Sequence, residues 1–191
     1  MAIKVVQPVL IIPEGEASEE DVNTVNKACW LLQQFWETRN IPDLLLYHLR
    51  PASPLCNLGK EFFFPDGWIA GSPSPAPWIR AGDFLSQHYP PANVAAARGV
   101  VPDDLIYLVF LKDFDNPMPG HSESQYQWWG WGGPLGTDQE APLRWAVVDY
   151  DLIADLLTGT LDALETPGNK ALGVICHELG HAVMGWQHQD E

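Results

Sequence analysis

The stretch 173-GVICHELGHAVMGWQH-188 decides how the rest of the chain is read. His177 and His181 are four residues apart, so on a helix they stand on one face, roughly 6 Å apart along the axis. A single metal ion can then take both imidazoles. Glu178 adjoins the first histidine, badly placed as a ligand but able to reach a water beside the metal as general base and later proton donor. With six His in the chain, this spacing arises by chance in roughly one shuffled sequence in a hundred. The plain alternative is an amphipathic helix with two surface histidines.

A catalytic zinc usually has three protein ligands and a water. On an unbroken helix His188 would lie about 10 Å beyond His181, out of reach of the same ion. Gly185 offers the needed end, because glycine accepts the left-handed conformation that closes a helix and turns the chain back. His188 is therefore the preferred third ligand, with Trp186 packing against the turn. Asp190 and Glu191 are chemically suitable runners-up. His48, His88 and His121 stay open, since nothing local selects them. Cys176 points elsewhere on the helix and reads as packing.

This segment resembles the metzincin metallopeptidases, whose long motif is HExxHxxGxxH. The order of elements upstream is also similar to the N-terminal subdomain of that family: a strand, a long helix, further strands, a glycine-rich segment, an edge strand and the zinc helix. The resemblance implies Zn2+ held by His177, His181 and His188, with Glu178 as catalytic base and a peptide or protein as substrate. It also implies an extracellular setting. The strand 144-RWAVVD-149 would be the cleft edge, with Trp145, Ala146 and Val147 offering main-chain hydrogen bonds to an extended peptide. The match departs from the family in two places. Three residues, Ala182, Val183 and Met184, separate His181 from the glycine where the motif has two, and a one-residue insertion before Gly185 is the preferred register. The family continues into a C-terminal subdomain with a methionine turn. Met118 and Met184 stand elsewhere, and the reading expects that subdomain to be shortened.

Upstream, 125-QYQWWGWGGPLG-136 reads as loop, with Trp129 and Trp131 lining the cleft or folding back to bury their own rings. The second functional reading starts here: an inactive zincin scaffold that recognises a peptide or glycan through these tryptophans. The segment 113-DFDNPMPG-120 is oxygen-rich but lacks the twelve-residue calcium-loop spacing, and turn chemistry explains it as well.

Composition bounds these readings. The chain has 191 residues, 46% of them hydrophobic, with nine Trp, which suits one folded domain over residues 1–191. Its net charge of −15, with only ten Lys and Arg, repels phosphate backbones and anionic lipid, so neither nucleic acid nor membrane is an expected partner. A monomer is the default. The opening MAIKVVQPVLIIP lacks a small-residue cleavage site and reads as a strand, with Pro8 favouring an edge or bulge. Three Cys are too few for a disulfide framework.

The remaining periodicities predict a helix from Ser18 to about Arg39, a strand over 44–49, loop over 67–78, and short helices in IRAGDFLSQHY and PANVAAARG. Strands follow over 104–113 and 143–150, then a short helix, and a last helix from Thr166-Pro167 to Met184. The fold class this implies is α+β and zincin-like. It is a mixed, twisted sheet with a backing helix and a C-terminal zinc-binding active-site helix.

Overall fold

The computed structural model describes residues 2–12, 16–38, 47–51, 55–58, 76–112, 130–135, 143–158 and 170–184. Its centre is β4 (Leu105–Leu111), LIYLVFL, in which every residue is buried. A run with no polar residue cannot present a face to water, so it needs cover on both sides. It pairs in parallel with β1 (Ala2–Ile12) and with β6 (Leu143–Asp149). Beyond β1 lie β2 (Tyr47–Pro51) and β3 (Leu55–Leu58), both parallel to it. Beyond β6 lies β5 (Gly130–Leu135), the antiparallel strand. The sheet order is β2-β1-β4-β6-β5, with β3 also on β1.

Alternation along the strands divides the core into two layers. Val6, Leu10, Ile106, Leu108, Phe110, Ala146 and Val148 point to one face. There they meet α1 (Glu19–Thr38), α4 (Tyr150–Thr158) and α5 (Lys170–Met184). Val5, Val9, Tyr107, Val109, Trp145 and Val147 point to the other, where they meet α2 (Ala76–His88) and α3 (Pro91–Arg98). Each fully buried aliphatic or aromatic side chain contributes about 1.5–3 kcal/mol, so neither layer is dispensable. The mixed sheet with helical cover is as expected. Helices on both faces are not: the sequence reading placed two long helices behind the sheet and gave the short helices no layer.

Pro8 departs from expectation in an informative way. β1 is interior, yet Pro8 cannot donate to a ladder. Among the described residues, β2 pairs with β1 as far as Val6 and β3 from Val9, so Pro8 lies between the two sets of partners. The buried Gln7 side chain donates to the Pro8 carbonyl at 2.9 Å, and Arg98 Nε donates to Gln7 Oε1 at 2.8 Å. The Pro8 carbonyl thus has a side-chain donor, itself held by Arg98.

The start of α1 is fixed by a reciprocal cap. The Asp21 backbone N–H donates to Ser18 Oγ at 3.1 Å, and the Ser18 N–H donates to Asp21 Oδ2 at 2.9 Å. Asp21 Oδ1 also accepts from Lys112 Nζ at 2.8 Å, just past β4, and from the Tyr150 hydroxyl at 2.9 Å, just past β6. Burial opposes the Asp21 charge, but the Lys112, Ser18 and Tyr150 hydrogen bonds outweigh it and hold the carboxyl well below the usual carboxylate range. Lys27 donates to the Leu157 carbonyl at 2.8 Å, satisfying the last turn of α4. Among the described residues no helix is long and apolar enough to cross a membrane.

Candidate metal centre

In α5, Leu172, Ile175, Leu179 and Ala182 recur at helical spacing and enter the core beside α1 and α4. That anchoring fixes the rotation of the helix, and with it the stripe beside the core contacts. Glu178 and His181 lie on that stripe, 7% and 6% exposed, whereas His177 is exposed. The two imidazoles stand at 82° with centroids 4.7 Å apart, and their Nε2 atoms approach to 3.1 Å.

That nitrogen separation has two chemical meanings. Between neutral rings it is a hydrogen bond, with one Nε2–H donating to the other ring. It is also close to the bite of a metal, since two nitrogens bound to one tetrahedral zinc are roughly 3.3 Å apart. The 3.1 Å separation is therefore compatible with both rings ligating one zinc. Burial pushes the Glu178 carboxyl up to about 7.

The fold narrows the search for further ligands. His48 is on β2, at the opposite end of the sheet from β5 and β6, where α5 packs. His88 is on α2, in the layer across the sheet, stacked on Phe84 with centroids 4.4 Å apart. Neither can join the pair. Among the described residues no group of three metal-ligating side chains forms. Gly185, Trp186, His188, Asp190, Glu191 and His121 lie outside the described residues, as do the 113–120 segment, Met118 and Trp129. Cys29 and Cys176 are free thiols, and burial raises both to about 12, which suits the packing role read for Cys176.

The substrate edge needs correcting. β6 was expected to be the cleft edge, but it is hydrogen bonded on both sides, to β4 and to β5. Trp145, Ala146 and Val147 are at most 1% exposed, so their main chain has nothing left to offer a peptide. Trp145 is core, and its indole N–H is buried with no acceptor among the described residues. Among the described strands β5 ends the sheet on the side where α5 packs, and the sequence reading missed it because GWGGPL has the composition of a turn. Pro134 was the available signal: within a sheet, proline is at home on an edge. Trp131 is on β5, paired in register with Val147. Comparison of the chain with protein-family models, with curated proteins and with solved structures finds no match.

Proposed function

We propose that this chain is a zinc-dependent peptidase with a zincin-like site. The observation that carries the reading is the 3.1 Å convergence of His177 and His181 Nε2 on a helix that also buries Glu178. That helix packs against an antiparallel edge strand. His177 and His181 would hold the ion, with His188 the preferred third ligand. When bound, zinc would polarise the scissile carbonyl and lower the pKa of a water.

The protein's own residues do the rest. The Glu178 carboxylate takes a proton from the water as its oxygen adds to the carbonyl carbon. It returns that proton to the amine nitrogen as the C–N bond breaks. An extended peptide would pair with the outer edge of β5, in place of the β6 edge expected from the sequence.

The test is metal content of the purified protein beside His188→Ala, with casein-type proteolysis run on both and on Glu178→Ala. The proposal expects stoichiometric zinc in the wild type and weakened zinc in His188→Ala. It expects activity lost in Glu178→Ala with metal retained. Zinc without any Glu178-dependent turnover would instead favour an inactive binding module.

A further inference from the structure

β5 carries glycine at alternate positions, and register assigns each to a face. Gly130 pairs with Val148 and Gly132 with Ala146. Val148 and Ala146 belong to the core layer that α5 enters through Leu172, Ile175, Leu179 and Ala182. Residues directly opposite each other on antiparallel strands share a face. The α5-facing positions of the edge strand are therefore bare backbone at Gly130 and Gly132, beside a residue as small as Ala146. Gly133 pairs with Trp145, whose indole lies in the other layer. Among the elements that α5 meets, β5 is the one it packs on most extensively.

Core packing alone does not ask for this. An edge strand under a helix gains stability from side chains that fill the interface, and glycine there forgoes that gain and weakens the strand. What glycine provides is close approach. The element that comes close is the one bearing His177, Glu178 and His181, and the strand it approaches ends the sheet on that side among the described strands.

We propose that Gly130 and Gly132 are positioning residues. By leaving the α5-facing side of β5 bare, they seat the histidine helix close to the strand that receives the peptide, and a side chain at either position lifts the site away from that edge. The proposal rests on the peptidase reading for its functional half. Its packing half does not depend on metal or substrate.

The experiment therefore has two arms. In the first, amide hydrogen exchange across residues 170–184 is compared in wild type, Gly132→Ala and Gly133→Ala without added metal. Lifting α5 should speed its exchange roughly tenfold in Gly132→Ala and leave it within about threefold of wild type in Gly133→Ala. Equal loss of protection in both variants overturns the proposal. In the second, zinc affinity, kcat and KM for a quenched fluorescent peptide are measured in wild type, Gly132→Ala, Gly132→Val and Leu85→Ala. Leu85 is buried in the α2 layer and serves as a destabilised control. The proposal expects kcat/KM to fall at least about tenfold through KM in Gly132→Val, with a smaller fall in Gly132→Ala. Zinc affinity should stay within about threefold in both, and Leu85→Ala should show no KM change. Unchanged KM in Gly132→Val, or an equal rise in Leu85→Ala, overturns it. A wild type that takes up no zinc and cleaves nothing defeats the peptidase reading instead, and the exchange arm then decides the packing claim alone.

Discussion

Asp21 and Glu178 are both buried carboxylates, on helices α1 and α5 that pack together on the same face of the sheet. Their surroundings are opposite. Asp21 accepts from the Ser18 N–H, Lys112 and Tyr150. It is held well below its ordinary pKa despite burial. Glu178 is perturbed by burial alone and pushed up to about 7. A carboxylate that folding has fully satisfied has no capacity left for a substrate. One that folding has desolvated, with no such donor among the described residues, costs stability, and sites that do chemistry tolerate that cost. The difference gives Asp21 a structural role and supports the proposed role of Glu178 as base.

The largest expected effect is on turnover. Glu178→Gln keeps the shape of the side chain and removes the base, so peptide hydrolysis should fall by about 10²–10⁴. Its urea stability at pH 8 should equal or exceed that of wild type, because the amide removes the cost of a desolvated carboxylate. Asp21→Ala should do the reverse. It removes the Lys112 ion pair, one hydrogen bond to the Tyr150 hydroxyl and half the helix cap, costing roughly 3 kcal/mol in urea unfolding. Turnover per folded chain should be unchanged.

Acid sharpens the same contrast. The folded pKa of Asp21 lies below its unfolded value of about 3.9, so its contribution is fully present above that value. It is lost as pH falls from there through the folded pKa. Between pH 6 and pH 3, the urea midpoint of wild type should therefore drop further than that of Asp21→Asn. Parallel curves would remove Asp21 from its structural role. The smallest effect concerns the end of α4. Lys27→Met deletes one half-exposed hydrogen bond to the Leu157 carbonyl and should cost no more than about 1 kcal/mol.

Much of the sheet was legible because its chemistry is local. LIYLVFL has no polar residue and can only be an interior strand, and Glu19, Glu20 and Asp21 behind Ser18 mark a helix start. His177, Glu178 and His181 were legible because their spacing alone puts them on neighbouring turns. What escaped the sequence depends on residues far apart in the chain. β5 is a strand only because Val147 and Ala146 offer it a ladder, and its glycines and proline hide it from propensity. The misplaced substrate edge follows from that omission, since without β5 the strand β6 looks like the end of the sheet. Pro8 misled for a similar reason: β1 lies inside the sheet because β2, β3 and β4, all distant in sequence, pair with it. The short helices α2 and α3 were found, but which face they cover is settled by Phe84, Leu85 and Ala95 meeting Tyr107 and Val109.

The account turns on the claim that two buried acids in one layer do different work. The most direct test is the turnover number of Glu178→Gln and Asp21→Asn, measured side by side with wild type at equal zinc occupancy and at a temperature where all three are folded. The account predicts background turnover for Glu178→Gln, and turnover within about twofold of wild type for Asp21→Asn. Retained activity in Glu178→Gln, or equal loss in both variants, would contradict it.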